Sequence, residues 1–168
     1  MIKLSPFEQP DFERFKSWIV SEELLAQFAG SIFNYPVTDE QLWEYSNDSR
    51  RIPFKVVSTK TDDILGHCEL NFEHALPRLS RILIADQTNR SKGIGKLVVH
   101  QMLEKLFIDK AFESADLNVF DWNKAAIRCY QQIGFVIAPE TTFRQNTNGE
   151  IWTVLNMTIS KQQWLTQL

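Results

Sequence analysis

A chain of 168 residues is long enough for one well-packed domain and short for two. With 43% hydrophobic and 23% charged residues it falls in the ordinary globular range, which excludes a disordered segment. A net charge of −3 supplies no basic face for nucleic acid, and no run approaches the length of a membrane span, so neither is an expected partner.

The start, Met1-Ile2-Lys3-Leu4-Ser5-Pro6, lacks the apolar core of a signal peptide. The two cysteines, Cys68 and Cys129, lie in neither a CxxC nor a CxxH pair. They read as buried, reduced thiols of a cytoplasmic protein, and no metal site is expected. No repeat, low-complexity tract or linker interrupts the chain, so residues 1–168 are expected to form a single domain.

Met1 to Phe7 reads as a short first strand. Pro10 opens a helix in which Phe12, Phe15 and Ile19 repeat at helical spacing. Ser21 is a cap for a second helix, with Glu22 and Glu23 in the first turn, where the helix dipole favours negative charge. Thr38-Asp39-Glu40-Gln41 is a capping box for a further helical turn through Leu42, Trp43 and Tyr45. Three β-rich runs follow, Ile52 to Ser58, Ile64 to Phe72 and Leu79 to Ala85, joined by turn-forming segments as in an antiparallel meander. Gly93 to about Lys110 is the strongest helix, with an apolar stripe of Ile94, Leu97, Val98, Met102 and Leu106. Leu117 to Phe120 is a strand, Lys124 to Ile133 a helix ended by Gly134, and Phe135 to Ile137 a strand. A hairpin at Thr147-Asn148-Gly149 leads to a last strand, Ile151 to Ile159. The mixed order predicts an α+β domain of three layers.

Arg90-Ser91-Lys92-Gly93-Ile94-Gly95 lies between a strand and that strongest helix. Backbone amides at a helix start converge on an anion, and glycines let a phosphate approach closely. Arg90, Lys92 and Lys96 add charge. Lys92 and Lys96 oppose the dipole of their own helix, so an external anion gives a reason for them. The loop lacks the Lys-Ser/Thr ending of a Walker A motif, and Val98 stands where a dinucleotide fingerprint has glycine or alanine. The bland alternative is a glycine-rich turn.

Asn123 to Phe135 is the second informative stretch. Asn123 is a good N-cap and Gly134 a good helix terminator. Seven residues at roughly 100° apiece bring Asn123 and Tyr130 to one face, about 10 Å apart along the axis. Capping by Asn123 and packing by Tyr130 is the simpler account of each alone.

Taken together, Arg90-x-x-Gly93-x-Gly95 and Asn123-x-x-Ala126-x-x-x-Tyr130-x-x-x-Gly134-Phe135 resemble the two cofactor-binding motifs of the GNAT superfamily of N-acyltransferases. The resemblance is strong from about Leu79 to Phe135 and general from Met1 to about Arg51. It implies the GNAT-like fold, with a mixed, mostly antiparallel central sheet and helices on both faces. It also implies acetyl-CoA as acyl donor and a small-molecule or peptide amine as acceptor, and is compatible with a homodimer. Carried over by position, backbone groups of Ile82, Leu83 and Ile84 pair with the pantetheine arm. Amides of Ser91, Lys92, Gly93, Ile94, Gly95 and Lys96 hold the pyrophosphate. Asn123 contacts the arm near the thioester, and Tyr130 stands by the sulfur as general acid, donating toward the departing thiolate. A non-catalytic acyl-CoA-binding module is the alternative from another class.

An amine must lose a proton before it attacks. Glu69 is the first choice of base, with His67, His74 and Asp86 as further candidates, and strand alternation puts Glu69 and His67 on one face. Phe28, Phe33, Tyr35 and Trp43 cluster near Glu22 and Glu23, a composition suited to an ammonium acceptor, although Trp43 reads better as core.

Overall fold

The computed structural model describes residues 1–85, 93–147 and 149–168. In chain order the elements are β1 (Ile2–Pro6), α1 (Phe12–Trp18), α2 (Glu22–Ala29), α3 (Asp39–Ser46), β2 (Arg51–Ser58), β3 (Ile64–Asn71), β4 (Arg78–Ile84), α4 (Ile94–Glu104), β5 (Ser114–Phe120), α5 (Lys124–Ile133), β6 (Val136–Ile137), β7 (Phe143–Thr147), β8 (Glu150–Ser160) and α6 (Lys161–Leu165). The strands form one sheet in the order β1-β2-β3-β4-β5-β8-β6, with β7 also paired to β8. Every pairing is antiparallel except that of β4 with β5.

Alternation along the strands divides the side chains between two cores. Cys68 and Leu70 of β3 join Val98, Val99, Met102 and Leu103 of α4, Ile127 and Ile133 of α5, and Trp164 of α6. On the opposite face, α1, α2 and α3 contribute Phe12, Phe15, Leu25, Leu42 and Tyr45 to a second cluster, into which His67 of β3 points. The three expected layers are therefore present, with helices on both faces of the sheet.

Local sequence explains most boundaries. Ser21 Oγ accepts from Leu24 N at 3.1 Å, and Thr38 Oγ1 from Gln41 N at 3.3 Å. The second half of the expected capping box is missing, because Gln41 Oε1 accepts instead from Asn34 N at 2.7 Å. Pro10 sits in a 3-10 turn, Gln9–Asp11, that precedes α1 rather than opening it. The buried stripe of α4 runs through Val98, Val99, Met102 and Leu103, and Leu97, expected in it, is 44% exposed. Past Glu104 the chain widens into a π-helical turn, Lys105–Asp109, with Lys110 N bonded to Lys105 O. Trp43 is 55% exposed rather than core, since α3 buries Leu42 and Tyr45 and Trp43 lies a third of a turn away from that face. The last helix, α6, was not anticipated. Its signal was the capping box formed by Ser160 and Gln163, ahead of the buried Trp164.

Candidate active site

β4 and β5 pair only at Arg78 with Asp116 and at Leu79 with Leu117. Beyond Leu79 the two strands separate, and a parallel sheet opens into a mouth. On its other edge β4 carries a bulge. Ser80 faces Glu69 and Leu83 faces His67, so Cys68 alone opposes both Arg81 and Ile82. Arg81 there adopts φ +50°, a left-handed conformation unusual for a side chain of its kind. Just past the bulge β3 and β4 approach so closely that a Cβ on Gly66 would lie 2.1 Å from the Leu83 carbonyl oxygen. Only glycine fits at that position.

The mouth leads into a cavity of about 510 Å³. Of the cofactor-contacting residues expected from sequence, Ile82, Asn123 and Tyr130 line it. Leu83 is buried, and Ile84 packs against the core on the α4 side. Arg90, Ser91, Lys92 and the candidate base Asp86 lie outside the described residues. Gly93 precedes α4 with φ +78° and offers its helix no side-chain cap. The amides of Ile94, Gly95 and Lys96 lie in the first turn, ahead of the Leu97 N to Gly93 O bond that begins the ladder. A Cβ on Gly93 or Gly95 would meet no described atom within 4 Å. Lys96 is exposed.

Asn123 caps α5 through its side-chain Oδ1, which accepts from Ala126 N at 3.3 Å, and it also lines the cavity. Capping and facing the mouth are thus two roles of one residue. Tyr130 lies on the same side of α5, its ring 6.0 Å from that of Phe135. Burial, and then the neighbouring Cys129, push its phenol well above the ordinary value. The oxygen therefore carries its proton throughout the working pH range.

Glu69 and His67 share a face of β3, as alternation requires, but neither lines the cavity and both have no solvent exposure. Glu69 Oε1 accepts from Arg81 Nη1 at 2.6 Å and lies 3.5 Å from Arg51 Nη1. Buried, bonded to Arg81 and outside the cavity, this carboxylate is out of reach of an amine in the mouth, and the placement runs against Glu69 as the base. Burial pushes His67 down to about 4, so the ring is neutral. Its Nδ1–H donates to the Arg81 carbonyl at 3.1 Å, which leaves Nε2 to accept from Tyr45 Oη at 3.3 Å. His74, by contrast, is on the cavity wall and exposed. Partial burial, and then Arg78, lower its pKa, so it too is neutral near pH 7.

Residues 26–32, at the end of α2 and just beyond it, also line the cavity. Phe28 belongs to this wall, whereas Phe33 is buried and Tyr35 and Trp43 are exposed away from it. Glu22 and Glu23, expected to face a cationic acceptor, stand exposed in the first turn of α2 and do not reach the cavity. Sequence reasoning missed a polar network at the last β4–β5 rungs, of which Arg78 and Asn118 line the cavity. Arg78 grips Asp116 with two bonds of 2.8 and 2.7 Å, and Asn156 Nδ2 donates to Asp116, Asn118 and the Leu117 carbonyl. This network fastens the last paired rungs of β4 and β5 to β8. The polar residues interrupting the apolar pattern of β5, Asp116 and Asn118, were its only local signal.

Residues 15–135 match the Acetyltransferase (GNAT) family. Among solved structures, the spermidine N-acetyltransferase from Vibrio cholerae in complex with CoA and spermine superposes with a TM-score of 0.81 at 19% identity, covering 98% of each chain. Mutant forms of the spermidine/spermine N-acetyltransferase from Vibrio cholerae give 0.74 at 20% identity over 99% of each chain. The same enzyme with manganese ions gives 0.74 at 17% identity, over 99% of this chain and 96% of that one. At such identities the superpositions establish the shared fold.

Proposed function

We propose, from the premise that this chain belongs to the acetyltransferase (GNAT) family, that it moves the acetyl group of acetyl-CoA to a primary amine of a small molecule inside the β4–β5 mouth. The observation that carries this reading is a single cavity lined by Ile82, Asn123 and Tyr130 together with residues 26–32. An extended, anionic acyl carrier suits the features present. Among the described residues β4 pairs with β5 only at Arg78 and Leu79, and the edge at Ser80–Ile82 suits a peptide-like arm; the start of α4 has no side-chain cap among them and suits a phosphate.

Acetyl-CoA bound there supplies an acyl group already activated as a thioester. Amides of Gly93, Ile94, Gly95 and Lys96 bind its pyrophosphate. Backbone of Ile82, Leu83 and Ile84 pairs with the pantetheine arm, and Asn123 holds that arm near the thioester. Tyr130 keeps a proton at Oη and donates it as a hydrogen bond while negative charge grows on the sulfur. With its pKa raised by burial, full transfer to a thiolate of ordinary pKa near 8.5 is uphill by more than about 2 kcal/mol. Hydrogen bonding is therefore its main contribution. His74, neutral and on the wall, receives the proton from the incoming ammonium.

The relatives named above act on spermidine and spermine, which are polycations. Residues 26–32 carry no carboxylate, and Glu73 on the wall is already bonded to Arg50 and Arg51 at 2.8 and 2.7 Å. An acceptor with one cationic nitrogen fits this wall better. A cytosolic setting belongs to the same reading, supported by two free cysteines; among the described residues no helix is long and apolar enough to cross a membrane. Thiol release from acetyl-CoA, measured over monoamines, amino acids, N-terminal peptides and polyamines, tests the proposal. Turnover on small monoamines is expected. Preference for spermine would overturn the acceptor assignment, and acetyl-CoA binding without turnover on any amine would favour a non-catalytic module.

A further inference from the structure

Arg81 is held at both of its ends by buried groups of β3. Its side chain is fixed by Glu69 at 2.6 Å, and its carbonyl accepts from His67 Nδ1 at 3.1 Å. Behind them Tyr45 Oη meets His67 Nε2, and the Tyr45 ring lies under the guanidiniums of both Arg51 and Arg81, at 5.8 and 5.9 Å. Arg51 is in turn anchored by Asp48 and Glu73.

Such a network is costly to bury, and its members are not spread at random. They converge on the one residue of β4 whose backbone is left-handed, in the bulge beside the mouth. A non-glycine residue at φ +50° persists only where its surroundings over-determine it. Here the side-chain ion pair and the carbonyl bond do so together. Ser80, Arg81 and Ile82 also line the cavity, so the conformation of Arg81 decides how the β4 edge is presented there.

We infer that Glu69 and His67 are positioning residues that clamp Arg81 in its left-handed conformation and so shape the β4 edge that receives the acyl donor. The inference rests on acetyl-CoA binding in the mouth and adds to it a role for two residues that never touch the ligand. It also gives Glu69 a task other than proton transfer.

Glycine tolerates positive φ at no steric cost, whereas alanine does not. The test is acetyl-CoA affinity, read by calorimetry, in pairs of variants that differ only in that property. Arg81→Gly and Arg81→Ala lose the same guanidinium. The glycine variant is expected to bind about tenfold more tightly, the factor that corresponds to one strained residue. Glu69→Gln, with its clamp weakened, is expected to bind about tenfold less tightly than the unmodified protein. Adding Arg81→Gly to it should restore affinity relative to the same background carrying Arg81→Ala. A base acts on the amine, so a catalytic Glu69 would leave acetyl-CoA affinity unmoved and cost only kcat. Equal affinities for the glycine and alanine variants overturn the clamp even if Glu69→Gln fails to fold. Absence of heat from the unmodified protein would instead bring down the donor site itself, and the clamp with it.

Discussion

Replacing Tyr130 by phenylalanine removes one oxygen and leaves the ring that packs 6.0 Å from Phe135, so the fold should survive. The lost contact is a hydrogen bond to a sulfur that is becoming anionic. Bonds to charged groups contribute about 1.5–3 kcal/mol, which at 1.36 kcal/mol per decade lowers kcat about 10- to 150-fold. Because the bond strengthens only as charge develops, acetyl-CoA affinity should change by less than about threefold. The assay is thiol release at saturating acetyl-CoA with the best amine of the panel, alongside calorimetry for binding and an unfolding midpoint as a check of integrity. Burial holds the phenol above its ordinary value, so the unmodified enzyme should show no decline in rate from ionisation of Tyr130 below about pH 10. A Tyr130→Phe enzyme with unaltered kcat would remove the residue from the chemistry.

Other consequences are equally direct. Gly93→Val forces a β-branched residue to φ +78° at the start of α4, and calorimetry should find coenzyme A binding abolished while α4 itself persists by circular dichroism. Gly66→Ala pushes a methyl against the Leu83 carbonyl, so denaturant unfolding should report a loss of about 1–3 kcal/mol. His67 has a folded pKa of about 4 against about 6.5 unfolded, so between those values the unfolded chain binds the extra proton. Stability is fully present above pH 6.5 and falls by about 3 kcal/mol as the pH drops to 4. Urea unfolding should show that slope, and His67→Asn should flatten it.

The helices and strands from Arg51 to Gly134 were readable because each boundary is set locally, by a cap such as Asn123, a terminator such as Gly134, or a clear period. The pair Asn123 and Tyr130 was readable for the same reason, since seven helical residues fix a face whatever surrounds the helix. Trp43 and Leu97 were misplaced because composition says a residue is apolar but not which third of a helix circumference the rest of the chain covers. Glu69 shows a different limit. Its face on β3 was correct, yet its partners, Arg51 and Arg81, come from two other strands, and only the sheet register brings them together. The bulge at Arg81 is likewise invisible in sequence, where arginine gives no hint of a positive φ. The wall at residues 26–32 depends on how α2 meets β4, a contact between elements distant in the chain.

The central claim is that acetyl-CoA lies between β4 and β5 with its pyrophosphate on the start of α4. Amide chemical shifts followed during titration with coenzyme A test it most directly. Saturable shifts concentrated at Ser80–Ile82, Ile94–Lys96 and Asn123 are the expected result. Shifts that leave those amides unmoved, or no saturation at millimolar ligand, would contradict it.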